Sequence, residues 1–366
     1  MEPAVIMDAT PMAGGHGVRG IGAAVRGWVA GFAALPPGGR PALLVSGDAT
    51  PAGFRLVRIN PPRWPLDRAD VPDSMPARAA RTALRGAPLE LFHATQPQLG
   101  PPPGMACVET CWDLIPLLFP DTLGGTRRAL TRRQHRRYLA RLRAARRVIV
   151  TSASVADDVV RRAGVDRARV RMVPLGVTPT GGHPRPAARP PYVLYSGALE
   201  PHKNVEVLIR ALSLSRHPDL RLILTGPWSR RRLAGLRGAI ASAGLAPRVD
   251  LRGHVTADEL RDLRAGATAV AVPSRAEGFG LPALEALAAG VPVITSTDRA
   301  LGEVTGPEAT ARVDPDDDAG WARAMDAVAD GPAARARAAS AGRARAAGFT
   351  WDAAAAAVAD VYLELA

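Results

Sequence analysis

The chain has 366 residues, 47% of them hydrophobic and 22% charged, with a formal net charge of +13. That balance belongs to a folded soluble protein, and the length favours two domains, each with its own core. No uninterrupted apolar run of about 18 residues occurs, so no transmembrane helix is expected.

Residues 1–8 lack a basic segment and Asp8 interrupts their apolar stretch. No signal peptide is expected, and the expected location is cytoplasmic. Residues 5–7 read as a strand. Residues 20–34 fit a helix with Ile21, Val25, Trp28, Val29 and Phe32 inward. Short apolar runs at 41–45, 54–59, 89–93, 105–109, 147–151 and 170–173, each bounded by turn residues, read as strands, with a helix over 154–163. Strands alternating with helices predict an α/β domain with a largely parallel sheet. Cys107 and Cys111 lie in an apolar stretch without a second ligand pair, which favours buried thiols over zinc.

Much of the positive charge sits at 127–147. There Leu130, Tyr138, Leu142 and Ala145 can share one helical face and leave the arginines mostly solvated. A helix touching anionic lipid or an anionic acceptor is the sharper reading. No nucleic-acid partner is expected.

Residues 178–191 are rich in Pro and Gly and read as a linker. The alternation then restarts, with strands at 192–195, 221–225, 249–251, 269–272 and 292–295, and a last helix over 352–365 capped by Thr350. The resulting domains are 1–178 and 192–348, with 349–366 packing back on the first. Two Rossmann-like units would face across a ligand cleft at the carboxyl ends of their strands.

Lys203 is the single lysine; arginine supplies every other basic side chain of that pair. It follows a strand and a Ser196-Gly197 turn, with Asn204 placed to cap the next helix. A compact ammonium beside a helix N-terminus makes an anion site. Further on, a strand runs into Glu277-Gly278-Phe279-Gly280-Leu281-Pro282, and Pro282 opens a helix that places Glu285 near its first turn. The glycines let backbone approach a ligand and aim N–H groups at it. Carboxylates accept bonds from sugar hydroxyls while the helix start favours phosphate. This order suits a nucleotide sugar.

Glu277 and Glu285 form an E-x7-E pattern within EGFGLPALEALAAGVPVI, preceded by GALEPHKN and VDLRGHVTADELRDL. These segments resemble the C-terminal domain of retaining glycosyltransferases of family four, which have the GT-B fold. The resemblance covers most of the chain and is strongest over 192–315. It implies that Glu277 binds hydroxyls of the transferred sugar and that Gly278, Phe279, Gly280 and Leu281 offer N–H groups to sugar and diphosphate. Glu285 would bind the ribose, and Lys203 would neutralise the leaving diphosphate. Gly197 would belong to the donor turn, and His254 and Val255 would lie near the base. His202, where an arginine is common in the family, could serve as second cation if protonated.

In the N-terminal half, Gly20 and Gly22 match the family's glycine-rich loop. Residues 109–117 resemble its H-D-L-I-P stretch, with Trp112 in place of the histidine. Asp113 and His93 are then acceptor-side candidates, with Asp113 offered for catalysis beside Lys203 and Glu277. The run Gly15-His16-Gly17-Val18-Arg19-Gly20 satisfies the dinucleotide fingerprint G-x-G-x-x-G, but the nearest strand-end acid, Asp48, comes later than such a site requires.

The expected activity is retaining, metal-independent transfer of a mannosyl- or glucosyl-type unit from a GDP- or UDP-linked donor. No cofactor is expected, and the 316–318 aspartates read as a solvated turn. The acceptor would be a saccharide, a lipid-linked molecule or a small natural product. Peripheral contact with the inner membrane face would run through 127–147. A nucleotide-sugar epimerase of the same architecture, or an inactive lipid- or nucleic-acid-binding relative, are the alternatives.

Overall fold

The computed structural model describes residues 4–13, 20–46, 50–59, 90–102, 104–119, 127–179, 190–306 and 310–365. Residues 15–19 of the fingerprint run, Asp48, most of the linker and the side chains at 127–132 lie outside them. Two compact units result: Met1–Gly176 with Phe349–Ala366, and Val177–Gly348.

The first unit holds a parallel seven-stranded sheet. Its strands are β1 (Val5–Asp8), β2 (Ala42–Ser46), β3 (Leu56–Ile59), β4 (Leu91–Ala94), β5 (Ala106–Cys111), β6 (Arg147–Val150) and β7 (Val170–Met172). Their spatial order is β3-β2-β1-β4-β5-β6-β7. β1 sits mid-sheet, Ile6 beside Ala42 on one flank and beside Phe92 on the other. Covered on both faces, β1, β2 and β4 are buried at every position, which is why they read as continuous apolar runs.

Helix α1 (Gly20–Ala34) buries Val25, Trp28, Val29 and Phe32. Helix α2 (Arg127–Ala144) buries Tyr138 and Leu142. One arginine of its basic run turns inward: Arg141 forks onto both oxygens of buried Glu109 at 2.9 Å and donates to the Pro97 carbonyl. Helix α3 (Ala153–Asp158) starts at Ser152, whose Oγ accepts from the Val155 N–H. It then widens into a π-turn, Val159–Ala163, that stops at left-handed Gly164. Both cysteines are free and buried.

The C-terminal helix, Trp351–Leu363, belongs to this unit and lies on α1. Thr350 Oγ1 caps it, accepting from the Ala353 N–H at 3.1 Å. Gly27 and Gly31 admit it: a Cβ on either would run into Trp351. Tyr362 from its last turns stacks on Phe32, with ring centroids 6.3 Å apart.

The second unit is a parallel six-stranded sheet in the order β10-β9-β8-β11-β12-β13. Its strands are β8 (Tyr192–Ser196), β9 (Arg221–Thr225), β10 (Val249–Gly253), β11 (Ala269–Val272), β12 (Val293–Ser296) and β13 (Thr310–Val313). β13 has no counterpart in the sequence reading. Only four residues long, it lies at the sheet edge with Ala311 and Arg312 exposed, so it lacks the apolar run that marks a central strand.

The helices are α4 (Glu206–Leu214), α5 (Arg230–Ser242), α6 (Ala257–Gly266), α7 (Leu281–Ala288), α8 (Arg299–Thr305), α9 (Asp318–Asp330) and α10 (Pro332–Ala346). A capping box opens α6, Thr256 and Glu259 each bonding the other's backbone N–H. Of the 316–318 aspartates, Asp316 lies in an exposed turn, while Asp317 and Asp318 lead into α9, and all three have partners. Asp316 pairs with Arg275, Asp317 caps α9 by accepting from the Gly320 N–H, and Asp318 pairs with Arg210.

Candidate functional site

The second sheet has a topological switch point. β8, β9 and β10 progress one way from the centre and β11, β12 and β13 the other, so β8 and β11 are parallel neighbours whose following loops diverge. Open α/β sheets bind ligands beyond the carboxyl ends of such a pair. Lys203 follows β8 and Glu277 follows β11. Lys203 lies on a 3₁₀ turn, Pro201–Lys203, and its Nζ donates to both Glu277 carboxylate oxygens at 2.8 and 2.9 Å. Buried Ser274 donates to Glu277 Oε1 at 2.6 Å, and the Arg275 N–H donates to the His202 carbonyl at 2.7 Å. The two loops are thus tied through backbone and side chain together.

Asn204 does not cap α4. It is left-handed, with φ +54°, and closes the Lys203 turn. Its amide donates to the Pro273 and Pro315 carbonyls, and its Oδ1 accepts from Arg275. A short polar side chain tolerates this conformation, so the residue serves as a clamp where a cap was expected.

Without a bound anion, His202 is neutral at neutral pH. Burial, then the adjacent Lys203 charge, push its imidazole down to about 4. Gly280 occupies a backbone conformation that favours glycine. It stands at φ +102°, and a Cβ there would lie 2.6 Å from Leu301 Cδ2. Its carbonyl starts α7 by accepting from the N–H groups of Ala283 and Leu284, and Pro282 occupies the first turn. Gly278 and Phe279 lie on the same loop, Phe279 buried, and Leu281 begins the helix. Gly197 is held by its N–H to the Thr225 carbonyl, while its own carbonyl accepts from Trp228 Nε1 at 2.9 Å.

Glu285 is the fifth residue of α7, just past the first turn. It is ion-paired with the guanidinium of Arg264 from α6, itself only 7% exposed. His254 and Val255 follow β10, two strand spacings from β8, or about 10 Å. They share the carboxyl edge with Lys203 without belonging to its bonded cluster.

Three residues of this cluster escaped the sequence reading. Ser274 stands three residues before Glu277. Arg264 was one arginine among many. Asp298 carried a signal, since it heads α8 as an N-cap and accepts from the Leu301 N–H at 3.0 Å. The Glu277 N–H also donates to Asp298. Burial above all, with the Glu277 charge adding to it, raises the Asp298 carboxyl to about 6 from an ordinary 3.8.

A raised carboxyl stabilises the fold below pH 3.8 and loses that contribution as pH climbs through about 6. Asp298→Asn should therefore gain melting temperature relative to wild type across that window. A wild-type-minus-variant difference that stays flat from pH 4 to 7 would show that Asp298 ionises freely.

The first unit answers differently for each candidate. His93 is not an acceptor-side group. It has no exposed surface, and its Nδ1 and Nε2 bond Tyr362 Oη and Thr110 Oγ1, each at 2.7 Å. Burial pushes its imidazole down to about 3, so it is a neutral core histidine tying the C-terminal helix to β5. Trp112 stacks on Trp28, centroids 5.1 Å apart, and donates from Nε1 to the Thr95 carbonyl at 2.6 Å. Asp113 is half-buried and accepts from the Ile115 N–H at 3.0 Å. Both line one cavity of about 720 Å³ inside this unit, along with α2 and Ile21 of α1. Gly20 and Gly22 belong to the first turn of α1, within the helix expected over 20–34.

Two Rossmann-like units with parallel, doubly wound sheets define the GT-B class of α/β protein. A model described as Glycosyltransferase Family 4 matches residues 18–180, and one described as Glycosyl transferases group 1 matches 183–345. The chain belongs to this family, the family-four glycosyltransferases.

It is 35% identical over 244 residues to D-inositol 3-phosphate glycosyltransferase of Streptomyces avermitilis, covering 60% of this chain and 52% of that protein. The chain thus spans about half the length of the curated relatives it matches. Sucrose-phosphate synthase from Thermosynechococcus elongatus has a similar structure. The TM-score is 0.79 at 21% identity, over 100% of this chain and 99% of that one. Anabaena HepE, crystallised with UDP and glucose, gives a TM-score of 0.73 at 17% identity over 98% of both chains. At those identities the structures establish the fold.

Proposed function

We propose that this chain transfers a hexosyl unit of mannosyl or glucosyl type from a GDP- or UDP-linked donor to an acceptor hydroxyl, with retention and without a metal ion. The observation that carries the reading is the Lys203–Glu277 pair seated at the β8/β11 switch point. Lys203 would meet the diphosphate, and Glu277 would turn to the hydroxyls of the transferred sugar. The N–H groups of Gly278 to Leu281 at the start of α7 would add positive potential where negative charge develops. In a front-face reaction the leaving phosphate oxygen takes the acceptor proton as the new glycosidic bond forms, and no protein base is needed. Trp112 suits that scheme, because an indole has no titratable nitrogen to offer. HepE crystallised with UDP and glucose, together with the name of the Streptomyces relative, supports a nucleotide-sugar donor.

His254 and Val255 would flank the base, and Glu285 the ribose. Asp113 would orient the acceptor. The exposed arginines of α2, Arg133, Arg136 and Arg143 among them, would give peripheral contact with an anionic membrane face.

A thermal-shift screen against UDP, GDP and ADP tests the donor assignment, since a ligand at about a hundred times its Kd adds about 2.7 kcal/mol. One diphosphate should raise the melting temperature clearly above the others, and a flat response to all three would defeat the reading. Arg264 supplies a finer check. If it holds Glu285 toward a ribose, Arg264→Met should raise donor KM about tenfold, the effect of losing about 1.4 kcal/mol of orientation, while kcat stays within about twofold. A fall in kcat at unchanged KM would assign the pair a different role.

A further inference from the structure

The cavity of the first unit has chemistry that the proposed transfer does not account for. Its volume is about 720 Å³, within the range of sites that enclose a whole organic ligand. Its apolar lining includes Ile21, Leu114, Pro116, Leu117 and Leu139. Leu117 and Leu139 are only partly buried, although they pack on the core cluster that contains Tyr138 and Leu142. They present apolar surface to the cavity as well as to the interior. Its polar lining includes Gln98, Asp113, Gln134, His135, Arg137 and Arg141. Burial lowers the His135 imidazole, so it faces the cavity as a neutral hydrogen-bonding group.

A hydroxyl stripped of water costs free energy unless bonded, and these aliphatic side chains offer no bond, so they suit the apolar part of a ligand. We infer that the cavity binds an amphiphilic acceptor, its apolar aglycone against the leucines and its hydroxyl-bearing head toward Asp113, Gln98 and Gln134. The inference rests on the proposed transfer and names the substrate class of its acceptor side.

Binding can be measured without turnover. n-Octyl β-D-glucoside, held below its micelle concentration, and methyl β-D-glucoside share a head and differ only in the apolar tail. Isothermal titration into the full chain should show the octyl compound binding at least tenfold tighter. Leu117→Gln and Leu139→Gln, made separately, should each reduce the preference to within about threefold. Both variants should keep the wild-type response to nucleotide diphosphate, which reports an intact fold and donor site. Equal binding of the two glucosides, or a tail preference that survives both substitutions, overturns the inference. A retained tail preference with no nucleotide response leaves the cavity assignment standing and defeats the transfer reading instead.

Discussion

Lys203→Ala should lower kcat/KM for transfer by about 10²–10³, the usual effect of removing one preorganised group that stabilises developing charge. The argument starts from composition. In a chain that uses arginine everywhere else, the one ammonium is delivered by a tight turn to the carboxyl end of a central strand, against Glu277. A Lys–Glu pair is neutral as a unit, so it attracts a diphosphate only if the carboxylate is given other partners. Sugar hydroxyls and the Ser274 hydroxyl, already 2.6 Å from Oε1, provide them.

Lys203→Arg should remain about tenfold impaired, because a planar guanidinium would lock bidentately onto Glu277 instead of releasing it. The stability change should be modest by comparison. The two side chains are 24% and 10% exposed, and stranding Glu277 should cost about 1–3 kcal/mol. Lys203→Met combined with Glu277→Gln should recover most of that loss and none of the activity, which separates the structural role of the pair from its chemical one. Steady-state kinetics within threefold of wild type for Lys203→Ala would remove the basis of the assignment.

The parts of this molecule visible in its sequence are those where one physical constraint dominates locally. The buried parallel strand β11 is apolar end to end and β9 has an apolar Leu222–Leu224 centre, so their limits were readable to the residue. Gly280 and Pro282 could be placed because a left-handed helix start and a missing N–H leave few alternatives. The unreadable parts depend on which residue meets which across the chain. Nothing local to Asn204 distinguishes a helix cap from a clamp on carbonyls 69 and 111 positions away. Arg141 and Arg264 looked like surface charge until Glu109 and Glu285 were found beside them. His93 had the position of a strand-end ligand, and only the arrival of Tyr362, 269 residues later, makes it a core group. Pair interactions of this kind leave almost no trace in periodicity or composition.

The same distinction predicts opposite signs for one substitution at two helices. Gly31→Ala should destabilise the chain by about 3 kcal/mol, at the upper end of ordinary overpacking. The new methyl would collide with the Trp351 carbonyl oxygen, and would sit 2.7 Å from its carbonyl carbon and 2.8 Å from the Ala355 methyl. Two of those three atoms are backbone, so no rotamer change relieves the contact, and α1 and the C-terminal helix must move apart. Separation would also strain the Tyr362–His93 bond and the Phe32–Tyr362 stack that depend on the close approach.

Gly235→Ala in α5 should stabilise by about 0.5–1 kcal/mol, because its Cβ would meet nothing within 4 Å and the helix would gain alanine's propensity. Denaturant melts of the two variants read both effects. A Gly31→Ala protein as stable as wild type would mean that the C-terminal helix does not rest on α1 through Trp351.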